Sequence, residues 1–530
     1  MIFVRDKVWA AGLAALPAVE ISLLLYSFFR RTLLDHIPGV INDAIDYWLE
    51  AQAFAHAGFG SGYFTIDERP APASFSHFGS HGPLFPVLHG MLGRVLGWHA
   101  WSIPVVHTGL VAAALLFFAR RIPLDRGGRI LTVLSVATFW PLLLFLPTSL
   151  QEGLHLAVAV FLAAALRPVL DGRETSRALH ASLVAVLVAA SLMRPSWGLL
   201  LPAVFVMLFG GASRRRQVLA VAAGVALGAA LVAAFVHIAA PFGREEFFFV
   251  KVARLQEAAS ALVARTATNA GRFVEAGSAL EVRGRFLVLA LALASAILAA
   301  RARPRRELAF NAYNLGSILV AAVLAYVLGP WADYRVFAAH LLLSVLLLVS
   351  STATAPRRLA VGVLLVQLAS IGPFIEAFRG LGASYRYDAA RIEAFGAAVR
   401  PAIGFGRGQE GWCNTLLSVN PPYFYPEMVA LPPGIGVTML FGSRGVPPPL
   451  RSRYVLLDPD DPRRWSLGAP TVTHVGPDHV QVTVGDWLSL DLMPLASTPV
   501  GQLYQNLDAR CPPLTAKALT RANVRLYRLP

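Results

Sequence analysis

The sequence predicts a polytopic α-helical membrane protein that ends in a mixed α/β domain. Three observations predict it: a string of apolar runs at or near bilayer length, arginine-rich loops at every second connection, and a loss of apolar density after residue 377. The 530-residue chain is 56% hydrophobic and 15% charged, with a mean hydropathy of +0.58, which excludes a soluble globular protein. A formal charge of +15 would suggest nucleic acid in a soluble chain. Here the basic residues sit mostly in short loops, and arginine greatly outnumbers lysine in a chain crowded with Ala, Gly and Pro. No nucleic-acid partner is expected.

Arg5 and Lys7 precede an apolar run from Val8 to Phe29, of about 22 residues, with no small-residue cleavage site after it. It reads as an uncleaved first span. Further apolar runs lie near 103–119, 130–147, 153–166, 179–193, 197–211, 217–240, 286–300, 308–329, 336–354 and 359–377, for a total of about 11 transmembrane helices. Those at 153–166, 179–193 and 197–211 are short for a bilayer core of roughly 30 Å.

Alternate loops carry Arg120, Arg121, Arg126 and Arg129; Arg167, Arg173 and Arg177; Arg214, Arg215 and Arg216; Arg301, Arg303, Arg305 and Arg306; and Arg357 and Arg358. All fall on the side of Arg5 and Lys7, which the positive-inside rule makes cytoplasmic. An odd number of spans then places the loops 29–102 and 242–285, and everything after 377, outside. The domain reading follows: a membrane module over 1–377 with those two external loops, and an extracytoplasmic domain over 378–530.

The first external loop is too long for a simple connection, and long ordered loops commonly carry function. It opens with Asn42-Asp43-Ala44-Ile45-Asp46-Tyr47-Trp48-Leu49-Glu50, in which Asp43, Asp46 and Glu50 share one helix face and Ile45, Trp48, Leu49 and Ala53 fall largely on the other. This predicts an amphipathic surface helix with a carboxylate edge. Carboxylates there suit a general base acting on a hydroxyl, or ligands for a divalent cation; a merely solvated face is the plain alternative.

The order of an acidic-Ala-x-x-Tyr helix, the Gly-rich turn Gly58-Phe59-Gly60-Ser61-Gly62, and the run Ser80-His81-Gly82-Pro83-Leu84-Phe85-Pro86 resembles the first external loop of GT-C glycosyltransferases. These polytopic enzymes use polyprenyl-phosphate sugars; they include protein O-mannosyltransferases, lipid A aminoarabinose transferase and mycobacterial arabinofuranosyltransferases. The resemblance covers roughly the first 340 residues as an ordered series of short motifs. It implies that Asp43 is the catalytic carboxylate, with Asp46 as the second candidate and Tyr47 beside them. The family often has two adjacent acids, whereas Asn42 precedes Asp43 here. The implied partners are a polyprenyl-phosphate sugar donor, a glycan, lipid or protein acceptor outside the cytoplasm, and the bilayer. The implied location is a bacterial inner membrane. No cofactor is required by the motifs, although a divalent cation fits them.

Breaking a sugar–phosphate bond leaves negative charge on the phosphate, so cationic donors are needed as well. Arg335, in Asp333-Tyr334-Arg335, matches an arginine that contacts lipid phosphate in that family; the alternative is a local pair with Asp333. Arg194, in a Leu-x-Arg-Pro-x-x-Gly-Leu-Leu turn that resembles one in the family, is either a phosphate ligand or a snorkelling span-end arginine. Arg244, Lys251 and Arg254, interleaved with Phe247, Phe248 and Phe249, can hold a phosphate or rest on anionic lipid. Glu152, in Thr148-Ser149-Leu150-Gln151-Glu152-Gly153, reads as a cavity residue or, more simply, a solvated turn. His81 is a possible substrate contact, and with His77 shows no known metal-ligand spacing. Glu20, inside the first run, is expected to face the bundle or a cavity.

Beyond 377, turn formers separate strand-like runs at 435–441, 454–457, 480–484 and 524–529. Cys413 and Cys511, both in this region, form a disulfide if it lies outside the cytoplasm. Two rival functions stay open: an O-antigen polymerase or ligase, and a transporter or lipid flippase. A transporter would carry paired halves and mid-membrane charges. An inactive relative that only binds polyprenyl lipid is a third.

Overall fold

The computed structural model describes residues 2–38, 43–58, 65–66, 82, 84–173, 175–210, 213–239, 255–275, 277–301, 305–325, 333–403, 415–418, 425–433, 435–439, 452–458, 470–476, 478–484 and 488–509. In chain order the helices are α1 (Ile2–Phe29), α2 (Ala44–Ala57), α3 (Leu84–Leu96), α4 (Ser102–Arg121), α5 (Arg126–Ala137), α6 (Trp140–Phe145), α7 (Glu152–Leu170) and α8 (Arg177–Ser191). There follow a 3₁₀ turn (Pro195–Leu200) and then α9 (Leu201–Phe209), α10 (Arg214–Ala239), α11 (Leu255–Val274), α12 (Ala279–Arg301), α13 (Arg305–Ala325), α14 (Asp333–Val349), α15 (Thr354–Ala369) and α16 (Ile371–Arg379). After these come α17 (Gly382–Tyr385) and α18 (Ala389–Ala402).

The chain divides into two compact units. The first is 1–36, 103–236 and 245–382; the second is 37–102, 237–244 and 383–530.

In the first unit, six helices among the described residues are long and apolar enough to cross a membrane, and α15 with α16, bent by 51°, makes a seventh. Several expected spans are shorter or interrupted, so length and composition do not establish a count of eleven. The run at 130–147 breaks into α5 and α6, where Pro141 starts the second piece. The run at 197–211 begins as the 3₁₀ turn, because Pro195 bars helical geometry at the residue before it. Large apolar side chains such as Leu23, Val218, Val225, Leu293 and Leu365 are exposed, as lipid-facing surface requires.

Two helices occupy the interior of this unit. Nearly all of α7 is buried, as is α14 from Arg335 onward, which suits helices that are apolar around most of their circumference. The two run parallel. Arg335 at the start of α14 meets Glu152 at the start of α7, and Arg167 near the end of α7 donates to the Leu347 carbonyl near the end of α14 at 3.2 Å. The helix α13 runs antiparallel to them, with Glu307 in its first turn bonded to Arg167 (3.0 Å) and Ser351 (2.9 Å).

That end of the unit also gathers Arg129 on Asp6 (2.5 Å), Arg173 on Asp171 (3.1 Å), and Arg357 in two 2.8 Å bonds to Asp125. Asp125 caps α5 through the Gly128 N–H at 2.7 Å, and the Arg357 bonds hold its carboxyl below the usual range. Three of the basic loops predicted to share a side thus contribute arginines to one end of the bundle.

The loop expected at 242–285 contains the helix α11. Its Asn269 donates to the Ala322 and Val323 carbonyls at the end of α13, where helical carbonyls lack partners. Buried Arg285 does the same for α11, donating to the carbonyls of Arg272 and Glu275. Arg244, Lys251 and Arg254 lie outside the described residues.

The second unit joins part of the first loop to the C-terminal region. Its mixed eight-stranded sheet comprises β1 (Thr65–Ile66), β2 (Thr415–Ser418), β3 (Gly436–Met439), β4 (Tyr454–Leu457), β5 (Pro470–Gly476), β6 (His479–Val484), β7 (Leu488–Thr498) and β8 (Gly501–Asn506), in the order β1-β3-β2-β4-β8-β7-β6-β5. The pairs among β1, β3, β2 and β4 are parallel and those from β4 to β5 are antiparallel. Leu417, Val455, Leu457, Val480, Val482, Leu490, Leu492 and Tyr504 form a buried core on it. Because β1 pairs with β3, Thr65 opposite Thr438, a segment of the first loop completes the C-terminal sheet. The run expected at 524–529, Cys413 and Cys511 lie outside the described residues.

Within the first unit, α4 crosses α7 at Gly153, where a Cβ would lie 2.5 Å from Nδ1 of His107. Nothing larger than glycine fits without moving a helix. Gly153→Ala is expected to destabilise the detergent-solubilised protein by about 1–3 kcal/mol, the usual cost of overpacking, read as a lower melting temperature. An unchanged melting temperature would show the crossing to be loose.

Candidate functional site

The structure builds two polar sites, one in each unit.

In the first unit, Glu152 opens α7 and is 1% exposed, with Arg194 and Arg335 at 7% and 8%. Arg194 Nη2 donates to Glu152 Oε1 at 2.7 Å; Arg335 donates from Nε to the same oxygen at 2.9 Å and from Nη2 to Oε2 at 3.3 Å. Arg194 Nη1 also donates to the Arg335 carbonyl at 3.2 Å. The local sequence sets this up. Pro195 holds Arg194 in an extended conformation (φ −145°, ψ 113°), so the chain breaks there and its guanidinium reaches α7 and α14.

Two guanidinium groups thus meet one carboxylate. Buried charges persist only when paired and hydrogen-bonded, and the bidentate Arg335 arrangement supplies both. Glu152 is therefore not a solvated turn residue: the bundle closes around it because both its neighbours along the chain and its arginine partners are buried. Likewise, Arg194 turns inward and does not snorkel, and Arg335 pairs with Glu152. Both arginines expected to hold a phosphate stand together, beside an anion the protein itself supplies.

Around this cluster lies a polar network. His36 bonds Ser149 at 2.9 Å, and burial pushes the imidazole pKa down to about 3, keeping it neutral. Trp197 donates from Nε1 to His155 Nδ1 at 3.0 Å and stacks on His340 at 4.6 Å. His340 bonds Asn314 at 2.7 Å and Ser196 at 3.3 Å.

In the second unit, Asp43 occupies the N-cap of α2 and is half-buried; Asp46, Tyr47 and Glu50 are buried. Beyond Asp43 the carboxylate edge is therefore not a solvated face. Helix α3 covers α2 through Gly90 and Gly93, which admit Phe54, Ala55 and Trp98, while the Pro426–Ala430 turn and β3 also pack against it. Tyr47 packs its ring on Phe85 at 4.9 Å, and Phe85 stands 4.4 Å from His89. Trp48 Nε1 donates to the His99 carbonyl at 3.2 Å, and Arg94 Nε to that of Ala55 at 3.0 Å.

Both Glu50 carboxyl oxygens lack a hydrogen-bond partner among the described residues. Burial pushes its pKa up to about 8, and the Asp43 charge adds to the rise. Glu50 is therefore a carboxyl that keeps its proton at neutral pH, two helical turns from Asp43. His81 and His77 lie outside the described residues. Among the described residues no group of three His, Cys, Asp or Glu side chains is placed to hold a metal ion.

Residue spacing does not set Glu50 apart from the other α2 carboxylates, and it does not mark His36, His155, Trp197, His340 or Asn314. A usable signal existed: Glu152/His155 and Arg194/Trp197 each lie three residues apart, so two polar pairs recur with helical spacing at the mouths of apolar runs.

A helical membrane bundle with a buried two-arginine, one-carboxylate cluster, attached to a sheet-bearing unit, is the class that fold and site define. No family model and no curated protein matches the sequence. Among solved structures, the chain is similar to ArnT from Cupriavidus metallidurans in the apo state (14% identity, TM-score 0.47, covering 94% of this chain and 98% of that one). It is also similar to the same protein bound to undecaprenyl phosphate (12% identity, TM-score 0.43, 94% and 99%). A third is the Archaeoglobus fulgidus oligosaccharyltransferase in its apo form (14% identity, TM-score 0.45), where the match covers 81% of this chain and 64% of that one, just under two thirds of its length.

The state of Glu50 has a pH signature. Its proton leaves the unfolded chain near the usual carboxyl value of 4.5 and the folded chain at about 8, so between these values the folded state binds more protons and stability falls as pH rises. Glu50→Gln removes that fall. The stability gap favouring the variant should be near zero at pH 4.5 and widen by up to about 1.4 kcal/mol per pH unit toward pH 8, measured by melting in detergent. A pH-independent gap would show that Glu50 is ionised in the folded protein.

Proposed function

We propose that the chain is a membrane glycosyltransferase of GT-C type. It takes a hexose or pentose from a polyprenyl-phosphate donor and passes it, with inversion, to an acceptor hydroxyl outside the cytoplasm of a bacterium. One observation supports the reading: a buried cluster of two arginines on one carboxylate stands at the end of the bundle opposite the arginine-rich end. The positive-inside rule turns the arginine-rich end to the cytoplasm, so the cluster faces outward, where lipid-linked sugars are used.

The chemistry assigned to each part follows from charge. As the bond from the sugar to the phosphate breaks, the leaving phosphate gains negative charge, and guanidinium groups already fixed in place stabilise it without reorganising. Arg335 and Arg194 take that role, joined by Arg244, Lys251 and Arg254 from the segment after α10. The acceptor hydroxyl must lose its proton as it attacks the anomeric carbon, and a carboxylate serves. Asp43, half-buried at the start of α2, is the base. Asp46 is its alternative, although its burial makes it harder to reach. Tyr47, His81 and Glu152 complete the substrate contacts or their support. The 378–530 region acts as an acceptor-binding or lid domain, with Cys413 bonded to Cys511.

Transfer assays in membranes with candidate polyprenyl-phosphate sugars test the assignment. Asp43→Asn is expected to cut transfer by roughly 10²–10⁴-fold, the usual contribution of a positioned base. A folded variant with full activity would remove Asp43 from that role. The orientation has its own check: a membrane-impermeant thiol reagent should label a cysteine introduced at position 43 and spare one at position 215, and the reverse pattern would invert the topology.

A further inference from the structure

Two hydrogen bonds one helical turn apart tie α7 to the segment after α8. Glu152 accepts from Arg194, and three residues further along each element His155 Nδ1 accepts from Trp197 Nε1. An indole nitrogen can only donate, so Nδ1 of His155 must offer its lone pair. In the neutral ring the proton is then on Nε2. His155 has no exposed surface, and its Nε2 has no hydrogen-bond partner among the described residues.

The network around it holds this arrangement. Asn314 donates from Nδ2 to the His340 carbonyl (2.9 Å) and to Ser344 Oγ (2.9 Å), which leaves its Oδ1 as the acceptor for Nδ1–H of His340. His340 Nε2 faces Ser196 Oγ. Trp197, stacked on this satisfied imidazole, is fixed in place as the donor to His155. One side of His155 is committed, and the other presents an N–H with no acceptor, one helical turn from the carboxylate that holds Arg194 and Arg335. Gln151 Oε1, one turn before His155, is unpaired as well.

A buried donor without a partner is costly, and an arriving acceptor returns that cost. Two guanidinium groups fixed one helical turn away favour an anionic acceptor. A phosphate monoester that keeps one proton offers oxygens to accept from His155 and a hydroxyl to donate to Gln151.

We propose that His155 is a third phosphate donor, giving its Nε2–H to an oxygen of the lipid-linked phosphate beside Arg194 and Arg335. This rests on the reading of those two arginines as the phosphate site. It adds a neutral donor whose tautomer is dictated by a tryptophan, so the site gains a hydrogen bond without a further buried charge.

The test is the affinity of the full-length protein in detergent for undecaprenyl phosphate, with undecaprenol and inorganic phosphate as separate arms. The carboxamide of His155→Asn reaches the place of Nδ1, keeping an acceptor for Trp197 and losing the distal donor. That of His155→Gln reaches the place of Nε2 and restores an N–H there. His155→Asn is expected to weaken undecaprenyl phosphate about 10- to 100-fold, as for a lost bond to a charged group, and His155→Gln less than about 3-fold. Undecaprenol binding should be the same for all three proteins.

Weakening seen with undecaprenyl phosphate alone assigns the donor to a lipid headgroup; the same weakening with inorganic phosphate assigns it to phosphate from either source. Wild-type affinity in His155→Asn, or a greater loss in His155→Gln as mere support of Trp197 would require, overturns the proposal. Undecaprenol bound by the wild type as tightly as undecaprenyl phosphate would instead sink the phosphate reading itself. A measurement on the unaltered protein stands beside these: the imidazole ¹⁵N signal that His155→Gln removes should shift with undecaprenyl phosphate and stay fixed with undecaprenol. No shift with either overturns the proposal.

Discussion

The first unit is organised by one carboxylate shared between two arginines. Glu152 opens the buried helix α7 and binds Arg194 from a helix break and Arg335 from the mouth of α14, so three elements distant in sequence are fixed at a single point. Fifteen residues further along α7, roughly 22 Å at helical rise, Arg167 ties together Glu307, Asp171 and the Leu347 carbonyl. These two charged fastenings set the axial register of α7, α13 and α14. Apolar contact alone specifies register weakly, because leucine and alanine pack nearly as well one turn away. A buried ion pair penalises such a shift by leaving a charge without its partner.

The two fastenings differ in a way that bears on function. At the arginine-rich end, charges of both signs interleave, and Asp6, Asp125, Asp171 and Glu307 all carry partners. At the other end Arg194 and Arg335 meet on Glu152 among buried histidines, and Gln151 Oε1 and His155 Nε2 lack a hydrogen-bond partner among the described residues. Two fixed guanidinium groups, backed by neutral donors in fixed tautomers, suit a ligand that brings negative charge of its own.

Much of this fold was legible in the chain. Apolar runs located the helices of the first unit, arginine spacing foretold that three of the basic loops share an end, and falling apolar density marked a C-terminal sheet-bearing region. Less legible was whatever depends on a distant partner. Glu152 looked like a turn residue because only two surrounding runs were visible, not the arginines 42 and 183 residues away. The α2 carboxylates looked like a solvated face because α3 and the 426–430 turn, which bury them, carry no local sign of doing so. The two-residue strand β1 is too short for periodicity, and it exists only because β3 offers an edge. Proline carried a local signal that the apolar runs passed over: Pro141 lies where the structure breaks the single run expected at 130–147, and Pro195 opens the 3₁₀ turn just before the run expected at 197–211.

The measurement closest to the central claim is the stability of Glu152→Gln in detergent, with and without undecaprenyl phosphate. If one anion holds two buried guanidinium groups, its loss should cost about 3–5 kcal/mol in the unliganded protein. An added phosphate should then recover part of that deficit, stabilising the variant more than the wild type. A variant that melts with the wild type, and gains no more than it from the lipid, would contradict the account.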